Sequence, residues 1–166
     1  MKVRAYVLIL SVAFLGMSAG SKKARLTEGL NPGDLAPRIE FLGNKNDLSF
    51  RCQRGGYTLL NFWAAYDAES RVRNLQLANE IKRLGSNRVE MCSISVDESK
   101  SIFNETVKID NLDLATQFHE ERGRESEIYK RYSLDKGFKS FLINDEGVIV
   151  AANISPERLT EIMREI

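Results

Sequence analysis

The spacing of apolar and polar positions changes period abruptly near residue 67. Thr58 to Ala64 is a run of apolar, β-preferring residues broken only by Asn61, which predicts a strand covered on both faces. From Ala68 onward the apolar residues recur every three or four positions, at Ala68, Val72, Leu75, Ala78, Ile81 and Leu84, and Gly85 follows as a helix stop. A buried strand is therefore expected to run straight into an amphipathic helix. Val89 to Val96 is a second β-rich run, with Cys92 on the side of Ile94 and Val96, and it completes a strand-helix-strand crossover.

Beyond that unit the pattern shortens. Asp97 to Leu112 carries a helical spacing at Ile102, Phe103 and Val107, Leu114 to Phe118 a brief extended piece, and His119 to Arg124 a charged loop. Glu125 to Tyr132 predicts a short helix with Ile128, Tyr129 and Tyr132 facing inward. Ser140 to Asn144 and Val148 to Asn153 are β runs on either side of Asp145-Glu146-Gly147, a hairpin turn with glycine where a positive φ is needed. The last helix is marked by Ser155 as N-cap, Pro156 at its first position and Ile154 placed to staple onto Leu159. Leu159, Ile162, Met163 and Ile166 form its apolar face.

The start of the chain has a different character. Met1 to Gly20 begins with Lys2 and Arg4, continues through the apolar run Ala5 to Leu15 and ends in small residues. This is a signal-peptide pattern, and the run is shorter than the roughly 20 apolar residues of a membrane span. Export to the periplasm or cell envelope is expected, with an uncleaved N-terminal anchor as the alternative. Residues 21 to 36 then read as a polar tail and residues 37 to 166 as one domain. With 166 residues, 43% of them hydrophobic and 28% charged, the chain is long enough for a single real core. A net charge of +1 without a basic stripe excludes an electrostatic case for nucleic acid.

The stretch Phe62-Trp63-Ala64, an aromatic at Tyr66, four residues and a long helix resembles the thioredoxin superfamily, nearest its TlpA/ResA type. Gly33-Asp34-Leu35-Ala36-Pro37 is similar to the Gly-x-x-Ala-Pro opening of that type and of the related peroxiredoxins (AhpC/TSA-related). The resemblance implies an α/β thioredoxin-like fold, a central mixed β-sheet flanked by helices; here an N-terminal hairpin extension is expected as well, turning over Gly43 to Asp47 with Leu48 to Cys52 as its second arm and Arg54-Gly55-Gly56 as the break before the central strand. The resemblance also implies a Cys-x-x-Cys at the helix start, where the dipole lowers a thiol pKa, and a cis-proline ahead of the hairpin that turns at Asp145-Glu146-Gly147. This chain has Asp67-Ala68-Glu69-Ser70 at the first place and, by the register of Tyr132 and Leu142-Ile143, Phe138 at the second. A cis bond before a non-proline residue costs about 2.5–4 kcal/mol, so Gly137-Phe138 is expected trans.

Asp67, Ser70 and Phe138 therefore mark a lost redox site, and no catalytic residue, metal ligand or cofactor is assigned. Asp67 suits a helix N-cap, while Glu69 and Ser70 read as solvated. Tyr66, Asp67, Glu69 and Phe138 are the candidate partner-binding residues, by the resemblance edging the old substrate groove with aromatic anchors and local negative charge. The expected function is a non-catalytic binding or structural module whose partner is an envelope protein or peptide. A second possibility is a thiol oxidoreductase or peroxidase using Cys52 or Cys92, and a third is a carboxylate or metal-dependent enzyme at Asp67 and Glu69. His119, the only histidine, sits in no nucleophile motif and reads as solvated.

Cys52 and Cys92 are expected not to bridge each other, since one lies in an outer arm and the other inside the sheet, and a bridge needs Cα atoms about 4.4–6.8 Å apart. Export favours the opposite outcome, a structural disulfide. Intact mass after alkylation, with and without reductant, decides the point: equal masses are expected, and a two-proton difference would establish the bridge.

Overall fold

The computed structural model describes residues 26–41, 56–85 and 87–165. The signal-peptide pattern, the hairpin extension, apart from Gly56, and Cys52 lie outside the described residues. The strand-to-helix unit forms as expected: strand β1 is Tyr57–Trp63 and helix α1 is Ala68–Leu84, stopped by Gly85 in the left-handed region at φ 56°. Strand β2 is Val89–Ser95, helix α2 Lys100–Ile109, strand β3 Gln117–His119, helix α3 Glu127–Arg131, strands β4 and β5 Ser140–Asn144 and Ile149–Ala152, and helix α4 Pro156–Glu165. The expected extended piece at 114–118 begins as a 3-10 turn over Leu114–Thr116, which Asp113 caps, and only its end pairs as β3.

The sheet order is β3-β2-β1-β4-β5; β1, β2 and β3 pair in parallel, and β4 pairs antiparallel with both β1 and β5. Because successive strand residues alternate faces, β1 divides its side chains between two cores. Leu60 and Phe62 pack with Ile94, Tyr132, Phe141 and Ile39 on the α3 side, while Leu59 packs with Leu77, Met91, Leu142 and Leu159 beneath α1 and α4. Trp63 turns toward Phe103 and Val107 of α2. Tyr132 is wholly buried with its hydroxyl donating to the Pro37 carbonyl at 2.6 Å, and burial pushes its phenol pKa up.

Part of the stretch expected as a polar tail belongs to the domain. The Gly33 and Ala36 amides donate to the Ile149 and Gly147 carbonyls, and Ile149 donates back to Asp34. The β4-β5 edge offered unpaired backbone groups, and residues 33 to 36 take them up.

The buried face of α1 also differs from the apolar spacing. Val72 is 52% exposed and Ala68 is exposed, whereas Ser70, Asn74 and Leu77 are buried. The cause is a polar rung across the sheet, in which Ser140, Asn61, Ser93 and Gln117 stand opposite one another on neighbouring strands. Asn74 seats on this rung: its Oδ1 accepts from Asn61 Nδ2 at 3.1 Å and Ser93 Oγ at 2.5 Å, and its Nδ2 donates to Gln117 Oε1 at 3.1 Å. Buried polar groups demand such partners, so the rung overrides the weaker preference for Val72 inside. Ile102 is likewise 51% exposed, and Phe103 and Val107 alone carry the α2 contact from that expected face.

Asn74→Ala leaves three buried side chains short of a partner and is expected to cost about 2–3 kcal/mol in urea unfolding. Val72→Ala is expected to stay within about 0.5 kcal/mol. A larger loss at Val72 than at Asn74 would return the helix to the apolar register.

Candidate functional site

The site is the turn that carries β1 into α1, together with the loop that faces it. Side chains hold two of the turn's amides, and the Ala64 carbonyl holds a third, that of Asp67. The Ala65 amide donates to both oxygens of Asp97, at 3.0 and 2.9 Å, and the Ala64 amide to Ser70 Oγ at 3.3 Å. Asp67 is the N-cap, its Oδ1 accepting from the Ser70 amide at 2.8 Å. Ser70 is fully buried, not solvated, because its hydroxyl also donates to the Asp67 carbonyl at 3.1 Å. Glu69 points outward, with a side chain 90% exposed and 3.7 Å from Arg73.

Tyr66 projects at the apex of this turn, 57% exposed. Its ring meets Phe138 at a centroid separation of 6.3 Å and an interplanar angle of 58°. On its other side the Arg124 guanidinium lies 5.8 Å from the Tyr66 centroid, and the neighbouring phenol holds the arginine proton still more firmly than usual. Phe138 is half-buried and follows Gly137, whose φ of 108° only glycine accepts readily. No cis peptide occurs among the described residues, so the Gly137-Phe138 bond is trans as expected. The Phe138 carbonyl accepts from Arg73 Nη2 at 2.7 Å, fastening this loop to α1.

Two open grooves flank the aromatic pair. One, of about 490 Å³, lies among Tyr66, Asp97, Glu98, Ile102 and Arg124. The larger, of about 930 Å³, runs past Asp67, Val72, Arg73, Lys136, Phe138 and Pro156. The four candidate binding residues are thus brought to one rim, but the rim also holds Arg73, Arg124 and Lys136, which the sequence reasoning did not single out. Their only sequence signal was charge, and charge is uninformative until tertiary structure places it.

The polar side chains at the helix start are engaged within the fold. The Ser70 hydroxyl is engaged on both sides by backbone, and Asp67 serves the helix end. Among the described residues no three His, Cys, Asp or Glu side chains converge into a metal-sized group. Cys92 is buried in β2 with the α3-side core. His119 is not the solvated loop residue expected: it ends β3, stacks on Phe103 at 5.0 Å and 13°, and its Nε2 lies 2.6 Å from the Asp97 carbonyl.

A mixed five-stranded sheet between helices, with an aromatic turn at the end of its central strand, defines the class as a thioredoxin-like fold. A crystal structure of a thioredoxin-like protein from Parabacteroides distasonis is 68% identical with a TM-score of 0.78, over 84% of this chain and 99% of that one. The chain belongs to the thioredoxin-like family. A thiol-disulfide oxidoreductase from Bacteroides fragilis is 29% identical with a TM-score of 0.66, over 80% of this chain and 98% of its own. StoA from Bacillus subtilis shares the fold at 20% identity and a TM-score of 0.57, over 71% of this chain and 89% of its own. No protein-family model and no curated protein matches the chain.

If Asp67 acts as a cap, Asp67→Ala is expected to cost about 1 kcal/mol, and Asp67→Asn, an equally good cap, close to nothing. Calorimetric melting of both variants checks this; a gain in stability on removing the carboxylate would mean that the fold bears a cost to keep it.

Proposed function

We propose that this chain is a non-catalytic binding module of the cell envelope, exported by the pattern at Met1 to Gly20, which receives a partner segment on the Tyr66-Phe138 rim. One observation carries the reading: the first turn of α1 offers no sulfur, and the residues standing there, Asp67 and Ser70, are committed to backbone hydrogen bonds. Disulfide exchange requires a thiolate to attack a sulfur, and a capping carboxylate or a buried hydroxyl cannot perform that step. What persists at the rim is recognition hardware, an exposed tyrosine against a half-buried phenylalanine with a cation over the tyrosine.

The competing reading is a thiol-disulfide oxidoreductase working through Cys52 or Cys92. It is favoured by the name of the Bacteroides fragilis relative, and opposed by the burial of Cys92 in apolar surroundings, which disfavours a thiolate. Two measurements on the same preparation separate them. The protein is expected not to reduce a model disulfide above the uncatalysed rate, and turnover that vanishes on Cys52→Ser or Cys92→Ser would establish the redox reading. Tyr66→Ala with Phe138→Ala is expected to abolish capture of envelope partners while the fold survives. A stability loss of about 3 kcal/mol or more would mark the rings as core and remove the binding surface.

A further inference from the structure

The geometry points to an acidic, extended protein segment with one large apolar side chain as the occupant of the groove beside Phe138; this rests on the binding-module reading and gives the partner a chemistry. The groove of about 930 Å³ has an apolar floor of Val72, Phe138 and Pro156. Val72 is 52% exposed and Phe138 half-buried, so an incoming apolar side chain finds surface still to cover there.

The sign of the partner follows from how the groove's charges are already used. Its lining holds three cations, Arg73, Lys136 and Lys139, and two carboxylates, Asp67 and Glu69. The Asp67 carboxylate accepts from the Ser70 amide. Glu69 faces solvent and stands 3.7 Å from Arg73, so these two largely offset each other. Among the described residues no carboxylate lies within ion-pair distance of Lys136 or Lys139. They bracket Phe138 in sequence, and Arg73 holds the loop that carries them by its grip on the Phe138 carbonyl at 2.7 Å. The unspent charge beside the apolar floor is therefore positive, and complementarity across an interface selects an acidic partner.

The chain's own undescribed segments have the wrong sign to fill it. Residues 1–25 carry Lys2, Arg4, Lys22, Lys23 and Arg25 and no carboxylate, and residues 42–55 carry Lys45, Arg51 and Arg54 against Asp47 alone. The occupant is thus a segment of another protein.

The test uses ¹⁵N-labelled protein purified after export and three capped pentapeptides: Glu-Asp-Phe-Asp-Glu, its neutral form Gln-Asn-Phe-Asn-Gln and its basic form Lys-Lys-Phe-Lys-Lys. Titrations followed by amide shifts are expected to show the acidic peptide binding about tenfold tighter than the neutral one at low salt, with shifts centred on Val72 and Phe138. Lys136→Glu with Lys139→Glu is expected to invert the order of the acidic and basic peptides while leaving the sheet signals in place. Equal binding of acidic and neutral peptides, preference for the basic one, shifts centred elsewhere, or no binding by any peptide would each overturn the inference. Concentration-dependent shifts at Val72 and Phe138 without peptide would assign the groove to a second copy and overturn it as well. Equal binding that Phe138→Ala abolishes would remove the acidic partner yet leave the binding module standing, whereas partner capture that survives loss of both aromatics would remove the module itself.

Discussion

The structure depends most on how four residues, Ala64 to Asp67, are held between the central strand and the long helix. A chain leaving a buried strand must reverse direction within a few residues while its amides find partners, because an unpaired amide at that depth costs about as much as a lost hydrogen bond. Here the partners are side chains: Asp97 for the Ala65 amide, Ser70 for Ala64, and Asp67 for the Ser70 amide that begins the helix. Asp97 is itself braced by Ser95 Oγ at 2.7 Å, so the end of β2 supports the end of β1. Tyr66 is exposed because everything around it is pinned.

This support explains how a thioredoxin-like scaffold can lack sulfur at its helix start. Scaffold and site are separable when the residues that hold the turn are not those that would do the chemistry. Asp67 and Ser70 occupy the positions that the family resemblance gives to thiols, yet they cap a helix and fill a buried hydrogen-bonding position. The bidentate pairing of Arg71 with Asp110, at 2.7 and 2.6 Å, ties the same first turns of α1 to the end of α2. The helix start is thus held from the strand below it and from the helix beside it, and the resulting rigidity suits a surface that presents fixed anchors.

How much of this was legible in the sequence depended on the range of the interaction. Features encoded within four residues could be read directly: the Asp67 cap, the Gly85 stop, the glycine turn at 145–147 and the Ser155-Pro156 helix start. The fold class was legible because strand and helix periods are local as well. Readings failed where the deciding partner lay elsewhere in the chain, as residues 33 to 36 did when they paired with residues 147 to 149. The inner face of α1 was set by Asn61, Ser93 and Gln117 on three strands, so an apolar stripe through Val72 lost to a polar residue with partners. Ser70 and His119 both looked solvated from their neighbours in sequence; Ala64 claimed one, and Phe103 with Asp97 claimed the other.

The charge of the candidate rim follows the same logic and changes its meaning. Along the sequence Asp67 and Glu69 stand alone beside Tyr66, and the rim reads as negative. In the fold, Asp67 caps the helix by accepting from the Ser70 amide, and Glu69 is matched by Arg73 one turn further on. The opposing wall comes from residues 136 to 139, some seventy positions later in the chain, and brings Lys136 and Lys139 to either side of Phe138. A formal count of local charges weighs a carboxylate engaged by backbone amides the same as one open to a partner. Only the second contributes fully to recognition, because the first already has its hydrogen-bond donor and would have to give it up. That Tyr66 and Phe138 lie side by side could be read from the sequence, but the sign of the charge around them could not, since that sign is fixed by which charges the fold has already used.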